Sequence, residues 1–233
     1  MFKDRAGRKI IVTGHYGSGK TEFSVSLAML LASGAAGAAG KLAVVDLDIV
    51  NPYFRSRECR DILAKAGVAV YGSAFEYEAT VEIPALGADV RAPLEDPDCR
   101  VIVDAGGNDS GALVLNQFHK YFTGNDTTVL AIVNFNRPGT GNIESAIGHI
   151  SAIEAITGLE VSGIVNNSHL LRETSADTIV RGHDLCAILC EKTGKHLWCD
   201  CYPDGIVDPA GLSGLSDNLL PLGLYLRPTW LDK

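Results

Sequence analysis

A three-layer α/β/α P-loop fold with a mainly parallel sheet of roughly seven strands is what this 233-residue chain predicts. Three observations carry that expectation. Short apolar runs recur without polar alternation, among them Ile10-Ile11-Val12, Ala43-Val44-Val45 and Val101-Ile102-Val103, as strands buried on both faces do. Stretches with helical spacing lie between them, the pattern of parallel βαβ units. The first run leads into Gly14-His15-Tyr16-Gly17-Ser18-Gly19-Lys20-Thr21 and then Glu22-Phe23-Ser24-Val25-Ser26-Leu27. Strand, glycine-rich loop and helix thus follow in the order a phosphate-binding loop requires.

Taken in order, strands are predicted over Lys9–Thr13, Leu42–Asp46, Val68–Tyr71, Arg100–Asp104, Thr128–Asn134, Leu159–Asn166 and His196–Cys201. The first helix carries Phe23, Leu27, Leu30 and Leu31 at three- and four-residue spacings. It stops in Ser33-Gly34-Ala35-Ala36-Gly37-Ala38-Ala39-Gly40, whose glycines end a helix and give a flexible return to the sheet. Further helices are predicted over Phe54–Ala66, Leu113–Phe122, Ile143–Thr157 and Thr174–Thr193. Residues 72–97 hold Glu76, Glu78, Glu82, Pro84, Pro93 and Pro97 with little periodicity. They read as a solvated connection with a short helix, or as a partner- or substrate-facing insertion. No repeat or compositional break divides the chain, so 1–233 reads as one nucleotide-binding domain.

Hydrophobic residues at 46% and charged residues at 21% are ordinary for a globular protein. A formal net charge of -8 argues against a general nucleic-acid surface. Met1 is not followed by a basic-then-apolar signal segment, and no apolar stretch approaches the roughly 20 residues of a membrane span. The end of the chain lacks a basic amphipathic helix, so no membrane anchor is expected, and the reading is a cytoplasmic protein. Six cysteines, at 59, 99, 186, 190, 199 and 201, are expected to be reduced there. Cys186 and Cys190 share a helix face, and Cys199 and Cys201 a strand face. Neither spacing is a standard zinc pattern, so inert core thiols are the reading and a metal site the alternative.

The chemistry concentrates at strand ends. Glycines 14, 17 and 19 free the backbone to curl so that successive N–H groups, Ser18 included, converge on phosphate oxygens. The helix beginning near Lys20 adds its positive end. Lys20 can reach the β and γ phosphates, and the Thr21 hydroxyl can ligate Mg²⁺. Asp46 and Asp48 stand two apart at the end of the second strand and face one way if the segment is extended. One can organise a Mg²⁺ shell while the other orients water; capping of the next helix is the alternative. Asp104 ends an apolar strand and is followed by Ala105-Gly106-Gly107, the arrangement of a Walker B aspartate that holds Mg²⁺ beside a nucleotide-sensing glycine.

With GHYGSGKT, VVDLDIVNPYFRSRE and VIVDAGGND in that order, the chain resembles the MinD/ParA/CobB-CobQ-like (SIMIBI-class) P-loop ATPases, a branch related to the nitrogenase iron protein. The resemblance extends over the whole chain. It implies ATP with Mg²⁺, a water-activating role for Asp48 with Asp46 supporting the metal, and a switch at Gly107. Many members carry a signature lysine after the first P-loop glycine, reaching across a homodimer to the partner's nucleotide. His15 stands there instead and carries no fixed charge at neutral pH, so the homodimer stays open. The N-K-x-D aspartate that reads guanine is absent from Ile164-Val165-Asn166-Asn167-Ser168-His169, which favours adenine with Asn166 or Asn167 at the base. Cys201-Tyr202-Pro203-Asp204-Gly205 resembles the proline loop that packs on adenine in relatives, making Pro203 a second candidate; turn formation explains it equally well. Arg137 reads as a phosphate or acidic-partner contact or as a solvated charge. Arg55, Arg57 and Arg60 read as an exposed helix face.

The leading function is a Mg²⁺-dependent ATPase whose segments 47–57 and 105–111 signal to a protein partner of unspecified identity. Two alternatives remain. One is a P-loop kinase or ATP-dependent ligase, with Asp48 as base and 72–97 shaping an acceptor pocket. The other is a nucleotide-sensing module that hydrolyses little.

Overall fold

Ile10, Ile11 and Val12 have no water-facing side, each being no more than 1% exposed. Such a strand must be covered above and below, and the chain meets this with one sheet between two helical layers. The computed structural model describes residues 6–34, 40–48, 59–72, 88–107, 109–215 and 218–226. Its strands are β1 (Lys9–Thr13), β2 (Lys41–Asp46), β3 (Val68–Gly72), β4 (Cys99–Asp104), β5 (Thr127–Val133), β6 (Gly163–Asn166), β7 (His196–Pro203) and β8 (Leu219–Leu222). They form one sheet in the order β3-β2-β4-β1-β5-β6-β7-β8, and each of its seven neighbouring pairs is parallel. The helices are α1 (Lys20–Ser33), α2 (Arg60–Lys65), α3 (Ala88–Glu95), α4 (Asp109–Gln117), α5 (Ile143–Thr157) and α6 (Ala176–Thr193).

Alternation along each strand divides the core. Ile10, Val12, Val44, Ile102, Leu130 and Val165 face Phe23, Leu27 and Leu31 of α1 and Leu63 of α2. Ile11, Val45, Val103, Val129 and Ile164 face the opposite layer, with Leu94 of α3, Leu115 of α4, Ile150 of α5 and Leu189 of α6. Period-two side chains make this unavoidable: consecutive apolar residues on a strand feed two different cores.

Several boundaries differ from expectation, each for a local reason. The strand predicted from Leu159 begins at Gly163. Leu159 and Val161 are buried, but the Val161 N–H donates to Glu154 Oε1 at 2.8 Å rather than to a neighbouring strand. The helix predicted over Leu113–Phe122 runs over Asp109–Gln117 and is followed by a separate 3₁₀ turn at His119–Tyr121. The last helix starts two residues later than Thr174, at Ala176, because the Ser175 side chain accepts from the Thr178 N–H and caps it. Helix α5 matches its prediction, with Asn142 and Ser145 forming a capping box and Gly158 at φ 65° ending it. Of the helix predicted over Phe54–Ala66, Arg60–Lys65 is helical and residues 54–58 lie outside the described residues. Of 72–97, the described part is the end of β3, α3 and the turn into β4; residues 73–87 lie outside.

β8 was not foreseen. Its four residues, Leu-Leu-Pro-Leu, pair with β7 at the sheet's edge, where a proline costs no ladder hydrogen bond on the open side. The cysteine pairs are on opposite sides of the sheet. Cys186 and Cys190 belong to the layer under α6, Cys199 and Cys201 to the α1 layer. None of the six cysteines forms a disulfide among the described residues, and burial pushes the thiols of Cys186 and Cys201 well up and that of Cys190 to about 11. Among the described residues no helix is long and apolar enough to cross a membrane.

The segment after β8 is tied to α1 one turn beyond the glycine-rich loop. Glu22, 9% exposed, accepts the Tyr225 N–H at 2.8 Å and the Leu226 N–H at 3.0 Å, and Ser26 Oγ accepts the Gly223 N–H at 3.1 Å. Replacing Glu22 by Ala leaves both amides without their acceptor and is expected to cost about 1–3 kcal/mol, while Gln, which keeps a carbonyl oxygen, costs less. Denaturant unfolding of the two variants, with amide exchange at 225 and 226, measures this.

Candidate functional site

Parallel pairing sends the carboxyl end of every strand to one edge. Gly14, Asp46 to Asp48, Asp104 to Gly107, Asn134, Asn166 to His169 and Pro203 all emerge there. β1 lies between β4 and β5, so the glycine-rich loop is flanked by Asp104 on one side and Asn134 on the other. Asp46 and Asp104 are direct register partners across β2 and β4.

The loop needs glycine at its first position. Gly14 sits at φ 147°, and a Cβ there would strike the Ile132 carbonyl of β5. Lys20 and Thr21 open α1 and are 5% and 6% exposed. Lys20 Nζ donates to the His15 carbonyl at 3.3 Å. Burial lowers the Lys20 pKa, and the charges of Asp104 and Asp48 oppose that. Asp104, fully buried, accepts from Ser24 Oγ at 3.4 Å and from the Thr21 hydroxyl. Burial and the Asp46 carboxylate push its pKa up to about 8 against the pull of Lys20. Its Oδ2 is buried with no hydrogen-bond partner among the described residues. Asp48, 6% exposed, donates its backbone N–H to Asp46 Oδ1 at 3.1 Å, and its own Oδ1 lies 3.3 Å from where a Cβ at Gly106 would be. Gly107 fits only without a side chain: a Cβ would meet the Gly14 carbonyl and stand 2.5 Å from Lys20 Nζ.

Lys20, Thr21, Asp46, Asp48, Asp104 and Gly107 are therefore brought together. Thr21 and the carboxylates are hard oxygen donors, the kind Mg²⁺ takes, and the orphaned Asp104 Oδ2 fits a cation. Among the described residues no three His, Cys, Asp or Glu side chains form a metal cage by themselves. Mg²⁺ does not need one, since it is commonly held by one or two carboxylates with phosphate oxygens and water.

At the base end the candidates separate. Asn167 Nδ2 donates to the Ser18 carbonyl at 2.7 Å, bracing the loop from the tip of β6. Asn166 does not join it. Both its amide hydrogens are spent inside, on the Ile179 carbonyl at 3.1 Å and Asp200 Oδ1 at 2.8 Å, and its Oδ1 accepts the Ser168 N–H. Asn166 fastens β6 to β7 and α6, which corrects the expectation that it touches a base. Pro203 ends β7 at the ligand edge and its carbonyl takes the Ile206 and Val207 N–H groups, the turn role foreseen for it. The His15 ring rests on Gly139 and meets the His149 ring edge-on at 5.2 Å, while its Nδ1 bonds the Tyr16 carbonyl at 2.8 Å. Arg137 has a buried Nε with no hydrogen-bond partner among the described residues, and its charge acts on His169. Arg60 is exposed on α2, as read; Arg55 and Arg57 lie outside the described residues. Sequence reasoning missed His169 and Ser24. His169 could have been found from its place two residues past Asn167; Ser24 carried no signal.

Folded Asp104 keeps its proton to about pH 8, whereas an unfolded aspartic acid loses it near 3.8. The folded state therefore loses the Asp104 contribution progressively as pH rises across that window. Asp104→Asn, neutral throughout, is expected to melt above the wild type in divalent-free buffer at about pH 8 and to converge with it toward about pH 4. Thermal melts across the range measure the gap; one that stays constant with pH contradicts this reading.

No family model and no curated protein matches the chain. Among solved structures it is similar to the cell division protein FtsY of Thermotoga maritima, with TM-score 0.55 and 16% identity over 81% of this chain and 59% of that one. It is also similar to FtsY of Mycoplasma mycoides, with TM-score 0.52 and 15% identity over 81% of this chain and 58% of that one. A nucleotide-binding protein of Archaeoglobus fulgidus in complex with ADP aligns at TM-score 0.48 and 14% identity, over 98% of this chain and 92% of that one. The chain spans less than two thirds of the FtsY structures it matches. At these identities the likeness speaks of the fold alone, an α/β P-loop fold with one parallel sheet flanked by helices.

Proposed function

We propose that this chain is a Mg²⁺-dependent ATPase of the MinD/ParA-like kind expected from the motifs, acting in the cytoplasm on a protein partner. The observation that carries the reading is the single buried patch in which Lys20, Thr21, Asp46, Asp48 and Asp104 meet. Phosphoryl transfer asks a protein for position and charge neutralisation rather than for covalent chemistry. The amides of residues 14–21 bind the phosphates, and Lys20 sets its charge against the β and γ groups. Thr21 and Asp104, supported by Asp46, would hold Mg²⁺, which neutralises charge on the phosphate oxygens when bound. Asp48 accepts a hydrogen bond from water and aligns it with the γ-phosphate.

The close approach of Gly107 to Lys20 supports a switch. A γ-phosphate beside Lys20 must displace or engage that backbone, and the change passes into α4, which begins two residues later at Asp109. Segments 47–57 and 105–111, of which 49–57 and 108 lie outside the described residues, are then what a partner protein reads. With His15 committed to Gly139 and His149, a homodimer would have to be built without a lysine at that position.

Single-turnover ATP hydrolysis tests the reading. Lys20→Ala is expected to weaken ATP binding roughly 10-fold or more, and Asp48→Ala to keep affinity while slowing turnover about 100-fold or more. Turnover independent of Asp48 overturns the hydrolytic role, and ATP affinity independent of Lys20 overturns the site.

A further inference from the structure

Helix α1 opens without a capping side chain: its N-cap is Gly19, at φ 88°. Its first internal bond runs from the Phe23 N–H to the Gly19 carbonyl at 3.0 Å, and an uncapped first turn is where a helix frays. Lys20 and Thr21 stand in that turn. What grips it comes from the far end of the sheet order, beyond β8. Glu22 accepts the Tyr225 N–H on Oε1 and the Leu226 N–H on Oε2. Ser26, one turn further, accepts the Gly223 N–H and donates its own hydroxyl to Glu22 Oε1 at 3.4 Å. Both carboxylate oxygens are acceptors, so the amides of 223, 225 and 226 all end on two side chains of α1. The docking is strained. Leu224, between the bonded amides, adopts φ 51°, a left-handed conformation that leucine takes only when its surroundings impose it. A segment held under strain is released more easily than a relaxed one.

One short turn thus has two clamps. The phosphates of a nucleotide hold it from its amide end, and residues 223–226 hold it from its flank. A clamp that orders the turn leaves less freedom for the second to remove, so the two favour each other. We propose that residues 223–226 form a strap whose docking on Glu22 and Ser26 is coupled to nucleotide occupancy, so that bound nucleotide tightens the strap and a docked strap raises nucleotide affinity. The proposal rests on the reading that a nucleoside triphosphate seats on residues 14–21. It gives the site a regulatory contact apart from segments 47–57 and 105–111: drawing residues 223–226 off α1 weakens nucleotide binding without touching the phosphates.

Calorimetric binding of a non-hydrolysable ATP analogue with Mg²⁺, and amide hydrogen exchange at 225 and 226 with and without it, test the coupling. In wild type both amides are expected to exchange roughly 5- to 10-fold more slowly in saturating nucleotide, and by linkage Glu22→Ala is expected to bind nucleotide more weakly by a similar factor. The sign separates the strap from simple charge, because deleting a carboxylate near the phosphates would by itself strengthen binding. Ser26→Ala, which removes the Gly223 acceptor and no charge, is expected to lose part of the affinity. Exchange at 225 and 226 that saturating nucleotide leaves unchanged overturns the proposal without any variant having to fold. So does Glu22→Ala that binds as tightly as wild type or more tightly, and both results leave the phosphate site standing. Folded wild type that takes up no nucleotide overturns the phosphate-loop reading, and this inference with it.

Discussion

Burying one ammonium beside three carboxylates is the constraint around which this molecule is organised. Lys20, Asp46, Asp48 and Asp104 are each 6% exposed or less. None of these charges is cheap to keep out of water alone. Each is tolerable only because the others are there: Lys20 holds down the carboxylate of Asp104, while Asp104 and Asp48 oppose the loss of the Lys20 proton. The acids outnumber the cation, and Asp104 answers by keeping a proton to about pH 8. A site left acid-rich in this way is suited to a ligand that brings positive charge with its phosphates.

The sheet supplies the rigidity that such a patch demands. β4 and β1 pair directly, and β2 pairs with β4, so Asp46 and Asp104 are fixed by ladder hydrogen bonds at the tips of neighbouring strands. The Leu47 and Ala105 N–H groups extend those ladders to the Asp104 and Val12 carbonyls at 2.9 and 3.0 Å. On the other flank, the Asn167 N–H reaches the Val133 carbonyl at 2.8 Å and the Asn134 side chain bonds the His169 carbonyl at 3.3 Å. The acidic side of the loop is thus built on strand tips and the opposite side on the turns that follow them. Helix α1 joins the two, since it starts from the glycine-rich loop and is gripped further along by the chain end through Glu22.

Much of this was legible in the residues. Unbroken runs such as Val101-Ile102-Val103 could only be doubly covered strands, and the spacing of Gly14, Gly17, Gly19, Lys20 and Thr21 admitted one local structure once a strand preceded it. Boundaries were lost where side chains rather than periodicity set them. Glu154 captured the Val161 amide and shortened β6, and Ser175 capped α6 two residues late. β8 escaped because four residues containing a proline have no periodicity to display, and only the open edge of β7 makes them a strand.

The sequence by itself determined the order of the first seven strands and of the helices between them, the glycine-rich loop and the acidic strand ends, because these depend on neighbours along the chain. Tertiary structure alone decided which polar side chain does what. Asn166 and Asn167 are adjacent and chemically identical, yet one is consumed by Ile179 and Asp200 and the other reaches Ser18, 149 positions away. Successive residues at a strand tip point to opposite sides, and what waits on each side is brought there by folding. For the same reason the place of His169 in the chain said nothing of Leu171, Arg137 and Gly19, which folding brings around it.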